Sequence, residues 1–455
     1  MSATADRLHA GPLDIAELFG ALEDPALNSM NFLNEIASRY PDAISLAAGR
    51  PAEQSFEIDS LDRYLRRFCR HLESDLGYSP EEVRRTLFQY GRTKGVLHGL
   101  IAANLARDEG MSVDPESVVV TVGCQEAMFL VLRALRRTPS DVLLAVTPTY
   151  VGLTGAARLV EMPVLPVAAG PGGVALEDLE RQIRAARAAG LHPRACYVMP
   201  DFANPSGISM DLDDRRRLLA LAAAEQVLLL EDNPYGLFPH EDEQRRPTLK
   251  ALDEQQVVVY LGSFAKTAMP GVRTGYVVAD QQVVDAAGNR SLLADQLSKI
   301  KSMLTVNTSP ITQAIVGGKL LENEHSLLQA NERERAVYTA NMRRMVAGLA
   351  ARFPDPGLGV SFTAPAGGFF VVVTVPFEVD DALLERSAAE YGVLWTAMHH
   401  FYEPGVPVHA LRLSCSTVTP EQIEDGLDRV ARLISDQLGH RGPVGQRSGS
   451  PSESR

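Results

Sequence analysis

Seven short apolar runs, separated by helix-length stretches, constrain this chain more than any other feature of its sequence. They fall at 117–122 (SVVVTV), 141–147 (DVLLAVT), 161–167 (EMPVLPV), 195–199 (ACYVM), 227–231 (VLLLE), 257–261 (VVVYL) and 275–279 (GYVVA). Several are apolar on consecutive rather than alternate positions, as strands buried on both faces are. Helical stretches at 125–137 and 212–226 fill two of the gaps, with Asp211 or Asp213 placed to cap the second. Strand–helix alternation of this kind predicts an α/β architecture, a mostly parallel seven-stranded sheet between helices. Ligands bind such sheets at the carboxyl ends of the strands.

Beyond about residue 325 the pattern changes. A charged helix at 331–351, a short strand at 368–374, a helix at 380–391, a strand near 410–414 and a closing helix at 419–437 read as a smaller α+β domain. The expected organisation is an N-terminal arm over 1–50, a large domain over 51–325 and a small C-terminal domain over 326–438. The Gly/Ser/Pro/Arg-rich stretch 439–455 reads as a disordered tail.

A net charge of -13 disfavours nucleic acid or an anionic membrane as partner, so a small molecule is the expected ligand. No run of about 18 apolar residues is present to span a bilayer. The segment Met1 to Asp24 lacks the uninterrupted apolar stretch of a secretory signal. Cys69, Cys124, Cys196 and Cys415 show neither CxxC nor metal-ligand spacing; they read as reduced thiols of a cytoplasmic protein, and no metal is expected.

The segment most informative about chemistry is Ser263-Phe264-Ala265-Lys266-Thr267-Ala268-Met269-Pro270-Gly271-Val272-Arg273-Thr274-Gly275-Tyr276. It joins two of the apolar runs. A lysine held there, with a hydroxyl three positions before it and an arginine seven after, can have its pKa lowered enough to form a Schiff base with an aldehyde. Ser263 and Arg273 suit a phosphate on the same cofactor, the arginine through its planar fork. Gly123-Cys124-Gln125-Glu126-Ala127 lies where the run SVVVTV turns into a helix. Free N–H groups at that helix start make a second phosphate cradle.

These segments resemble the fold-type-I pyridoxal 5'-phosphate (PLP) enzymes, the class I/II aminotransferases, and the resemblance spans roughly residues 40 to 437. It implies that Lys266 carries PLP and that Asp232, in Glu231-Asp232-Asn233-Pro234-Tyr235-Gly236, pairs with the pyridine nitrogen. It also implies that Tyr235 and Asn204 bond the ring's phenolic oxygen and that Tyr150 stacks on the ring. Tyr90 would reach the phosphate of a neighbouring subunit, which makes a homodimer the expected assembly. Arg412, in Leu411-Arg412-Leu413-Ser414, resembles the small-domain arginine that binds the substrate α-carboxylate.

The implied reaction moves an amino group between an amino acid and a 2-oxo acid. PLP-dependent β- or γ-elimination, replacement or carbon–carbon bond formation is the alternative, kept open because Ala265 replaces the usual serine and Ala397-Met398 a common proline-glycine. Met30-Asn31-Phe32-Leu33-Asn34-Glu35, Ala48-Gly49-Arg50-Pro51, Val119 to Phe129 and Gly392-Val393-Leu394-Trp395 are more closely similar to the hydroxyphenylglycine transaminases of peptide-antibiotic biosynthesis. That similarity implies an aromatic or unusual amino acid as substrate. Arg50 and His399-His400 would then contact its side chain; an ordinary structural loop is the equal alternative for both. A transcription regulator on the same body would need a basic winged-helix segment ahead of residue 40, and the leader is too short and not basic for one.

Overall fold

The computed structural model describes residues 13–240 and 244–439. All but the first residue of the tail expected to be disordered lies outside them.

All seven apolar runs form strands, and all seven lie in one sheet: β1 (Val118–Thr121), β2 (Asp141–Thr147), β3 (Val164–Ala168), β4 (His192–Val198), β5 (Leu228–Asp232), β6 (Val258–Ser263) and β7 (Gly275–Val278). Their order across the sheet is β1-β7-β6-β5-β4-β2-β3. Only β7 runs against its neighbours, antiparallel to both β1 and β6. The central strands are buried along nearly their whole length because helices cover both faces, which is why their sequences do not alternate. Leu130 and Leu153 pack on one side of the sheet, Leu179 and Leu218 on the other.

Direction matters more than order here. Strands β1, β2, β4, β5 and β6 bring their carboxyl ends to one edge. Because β7 is reversed, it brings its amino end to the same edge, so Arg273 joins residues that follow the other strands.

Of the helices, α1 (Pro25–Arg39) precedes the sheet and α2 (Gly123–Leu135) follows β1. Helix α3 (Leu212–Ala224) is capped by Asp211, whose carboxylate accepts from the Asp214 amide at 2.8 Å. The small domain contains α4 (Glu332–Arg352), α5 (Asp381–Arg386) and α6 (Pro420–Gly439). They pack on an antiparallel sheet of β8 (Ser361–Phe362), β9 (Phe370–Thr374), β10 (Thr396–Ala397) and β11 (Ala410–Ser414), in the order β8-β9-β11-β10. The N-terminal segment also packs here. Ile36 and Leu46 are buried in the small-domain core, and Ile44-Ser45 pairs in parallel with Val393-Leu394.

The start of α2 is held by buried charge. The Glu126 carboxylate accepts from the Val122 amide at 2.6 Å, from Lys301 Nζ at 2.8 Å and from Thr305 Oγ1 at 2.7 Å. Lys301 has no solvent exposure and Glu126 almost none. Removing one member of a buried pair strands the other, at about 3–5 kcal/mol. Glu126→Ala is therefore expected to lower the thermal unfolding midpoint sharply and loosen the turn at Gly123. A melt indistinguishable from the parent would remove this pair from the fold's supports.

Candidate active site

A cavity of about 740 Å³ opens between the strand-end edge of the large sheet and the small domain, walled also by Ala37 to Gln54. Of the residues singled out in the sequence, Arg50, Cys124, Gln125, Tyr150, Asn204, Asp232, Tyr235, Ser263, Lys266, Arg273 and Arg412 all line it.

Lys266 lies in the turn after β6, and its Nζ donates to the Gly49 carbonyl oxygen at 2.7 Å. Burial pushes its pKa down to about 8; the charges of Arg273 and Arg412 push the same way and Asp232 opposes them. An amine that sheds its proton so near neutrality is a nucleophile and a base.

Asp232 is the last residue of β5 and is buried. Its Oδ2 accepts from the Tyr197 hydroxyl at 2.6 Å and its Oδ1 from the Cys124 thiol at 3.6 Å. Burial raises its pKa to about 6, while those two bonds and Lys266 limit the rise. The carboxylate therefore stays ionised at neutral pH without an arginine partner. It has charge left over for a cation in the cavity.

The opposite end of the cavity is built for an anion. Gly123 opens α2 with φ +73°, and a side chain there would strike the Arg273 guanidinium. A Cβ at Gly275 would lie 2.7 Å from the Cys124 backbone nitrogen. Both glycines are thus required for Arg273 and the start of β7 to close on the N-terminus of α2. Arg273 itself has φ 45°, a left-handed conformation costing a non-glycine residue about 1 kcal/mol or more. Ser263, whose Oγ accepts from the Ala265 amide at 3.2 Å, completes this end.

Arg412, on β11, is buried with its guanidinium over the Phe370 ring at 4.1 Å and the Phe401 ring at 5.2 Å. One terminal nitrogen donates to Asn204 Oδ1 at 2.5 Å; the other donates to the Ala47 carbonyl at 3.1 Å and Thr396 Oγ1 at 3.0 Å. Among the described residues its Nε is buried with no partner. Because the guanidinium only donates, it turns the carbonyl oxygen of Asn204 toward itself and leaves the amide NH₂ to donate elsewhere. Tyr235 is buried edge-on against Phe369 and Phe370, with centroids 5.2 and 5.4 Å away. Gln125 is tied through Nε2 to the Gly152 carbonyl. Arg50 stands at the exposed mouth, paired with Glu53 at 3.1 Å.

A pyridine aldehyde bearing a phosphate fits this layout. Arg273, Ser263 and the start of α2 would hold the anion, Asp232 would face a protonated ring nitrogen, and the aldehyde would find an amine that is already partly unprotonated. The partnerless Arg412 Nε is the kind of buried donor that a carboxylate satisfies.

Four residues expected from the sequence do not line the cavity, the first being Gly123, which is buried at the start of α2 behind the Arg273 guanidinium. Tyr90 is 84% exposed on the surface. His399 and His400 turn instead toward Asp381, whose Oδ1 lies 2.9 Å from His400 Nε2 and whose Oδ2 lies 3.6 Å from His399 Nε2. A role in contacting substrate through these histidines is not supported by their positions. Other participants carried no signal in the sequence. The Gly49 and Ala47 carbonyls act through backbone, Tyr197 sits inside a strand run, and Thr396 and Phe401 come near Arg412 only through folding.

The profile of the family "Aminotransferase class I and II" matches residues 69–430. The chain is 55% identical over 427 residues to a (S)-3,5-dihydroxyphenylglycine transaminase of Amycolatopsis orientalis, covering 94% of this chain and 95% of that one. Among solved structures, a multiple substrate aminotransferase from Thermococcus profundus superposes with a TM-score of 0.77 at 26% identity, over 90% of this chain and 95% of the other. An alpha-aminoadipate aminotransferase from Thermus thermophilus, complexed with N-(5'-phosphopyridoxyl)-L-leucine, gives 0.74 at 28% identity, over 94% of this chain and all of the other. The matches run through the large sheet, the cavity and the small domain alike: this chain belongs to the class I and II aminotransferases and is a transaminase, moving an amino group between an amino acid and a 2-oxo acid.

Proposed function

We propose that this transaminase uses pyridoxal 5'-phosphate on Lys266 and acts on an arylglycine and its 2-oxo acid in the biosynthesis of a secondary metabolite, such as a peptide antibiotic. The observation that carries the cofactor assignment is the pairing, across one cavity, of a lysine with pKa about 8 and a buried carboxylate that forms no direct ion pair among the described residues. The substrate class rests on 55% identity, sustained over nearly the whole chain, to a transaminase named for dihydroxyphenylglycine. The aromatic wall of Tyr150, Phe370 and Phe401 suits a flat ring attached directly at the α-carbon.

When bound, PLP supplies an aldehyde that condenses with amines and a protonated ring that accepts the electrons released at the substrate α-carbon. Asp232 keeps that ring nitrogen protonated, and Tyr197 and Cys124 hold the carboxylate in place. Arg273, Ser263 and the amides opening α2, Gly123 to Gln125, bind the phosphate. Tyr150, which lines the cavity, would pack against the ring. Asn204, its oxygen committed to Arg412, offers its amide protons to the ring oxygen beside Tyr235. Arg412 would take the substrate α-carboxylate and orient the α-carbon so that proton removal is favoured over loss of carbon dioxide. Lys266 Nζ would be the base that takes and returns that proton. Arg50 borders the entrance.

The enzyme works as a homodimer in this reading, in which the exposed Tyr90 serves the neighbouring subunit's phosphate. Four free thiols support a reducing, cytoplasmic location.

Three outcomes test the reading. Lys266→Ala is expected to hold PLP without the visible absorbance of the lysine-linked cofactor and to lose at least about 10³-fold in turnover; normal turnover refutes the assignment. Attachment of PLP to the stripped enzyme should accelerate as pH rises through about 8, since below that value the Lys266 amine is protonated, and PLP affinity should decline as pH falls below about 6, where Asp232 takes up a proton. A profile that rises only near the ordinary lysine value would place Lys266 in water. In a panel of amino donors, (S)-3,5-dihydroxyphenylglycine and hydroxyphenylglycines should exceed 2-aminoadipate in kcat/KM by more than about 10-fold. Preference for the aliphatic diacid would overturn the substrate class.

A further inference from the structure

The histidine pair that does not line the cavity is organised for another purpose. We propose that His399, His400 and Asp381 form a binding site for a divalent transition-metal ion of the zinc type, which ties the N-terminal helix to the small domain behind the substrate-carboxylate site.

One ligand atom from each of the three residues lies within 4.8 Å of the others. The two separations from the carboxylate, 2.9 and 3.6 Å, bracket the spacing of about 3.4 Å between neighbouring donors on a tetrahedral ion with ligands near 2.1 Å. The imidazole planes lie 35° apart with centroids at 4.1 Å, so both Nε2 atoms converge on the same carboxylate instead of diverging into solvent. The His400 ring is braced from its far side, where Nδ1 meets Ser29 Oγ at 3.0 Å; the Nδ1 of His399 is buried with no hydrogen-bond partner among the described residues. Fixing the second nitrogen of His400 in this way orients the first toward an ion. Two nitrogens and one oxygen select zinc or its transition-metal neighbours over magnesium or calcium, which want oxygen throughout. Side-chain exposure of 40% at Asp381 and 32% at His399 leaves an entry route and room for water as fourth ligand, while His400 at 6% anchors the site.

The elements joined give the ion a structural consequence. Asp381 opens α5, the histidines lie in the turn Met398–Phe401, and Ser29 together with the Phe32 ring, 5.5 Å from His400, comes from α1. Next in sequence, Phe401 packs on the Arg412 guanidinium, and its carbonyl accepts from the Thr149 amide at 2.8 Å, adjoining Tyr150. An ion here stiffens one wall of the cavity without touching the reacting atoms.

The test uses the full chain loaded with PLP, washed with chelator and titrated with zinc chloride at about pH 8, where protons compete little for imidazole. The parent should take up about one Zn²⁺ per chain and melt at a higher temperature for it. Asp381→Asn and His400→Asn should each weaken uptake by more than about 10-fold while keeping the visible absorbance of bound PLP. In the parent, Zn²⁺ should also shield His399 from acylation by diethyl pyrocarbonate, read by mass spectrometry without any substitution. No uptake by the parent, equal uptake by the two variants, or undiminished acylation of His399 at saturating Zn²⁺ would each overturn the site.

Discussion

One amine, taken out of water and facing one carboxylate, sets the terms for the rest of this structure. Burial first, then the charges of Arg273 and Arg412, make the Lys266 ammonium costly, and Asp232 offsets only part of that cost. A lysine that is partly unprotonated near neutrality is the chemical resource of the cavity. It persists only while both domains keep solvent away. The small domain supplies Arg412 and Phe370, the large domain supplies Asp232 and Arg273, and the segment before residue 54 supplies the Gly49 carbonyl.

The reversed strand is the architectural means to that end. A wholly parallel sheet would send the residue before β7 to the far edge, away from Lys266. Reversal of β7 places Arg273 against the start of α2, where two glycines clear the space and the Glu126–Lys301 pair holds the turn. The two carboxylates buried at this depth are tolerable because each is satisfied. Asp232 has Tyr197 and Cys124, and Glu126 has an amide, a lysine and a threonine.

Much of the fold was legible because strands buried on both faces have to be apolar throughout, as several of the seven runs are, and all seven became strands of one sheet. Their ends shifted by up to three residues, since hydrogen-bond register and not hydrophobicity ends a strand; β4 begins at His192 rather than 195. The candidate cavity residues were legible where side-chain chemistry is rare in its context, as with Lys266 and Asp232 at the ends of apolar runs. Carbonyl oxygens carry no such mark, so Gly49 and Ala47 were not. The histidine pair was misplaced for a related reason. Its carboxylate partner, Asp381, lies well upstream on another element, and a neighbour that far along the chain leaves no local pattern.

By itself, then, the sequence determined the strand set and the α/β alternation, which follow from local hydrophobicity, and the resemblance of its motifs to a known family named the candidate groups for a phosphate, a pyridine and a carboxylate. Only the tertiary structure decided which of them meet. It turned Asn204 by way of Arg412, drew the N-terminal segment onto the small domain, and sent His399 and His400 to Asp381 instead of the cavity. Those outcomes depend on long-range packing and on pairing buried polar groups across distant elements, and neither can be read from residues close together in the chain.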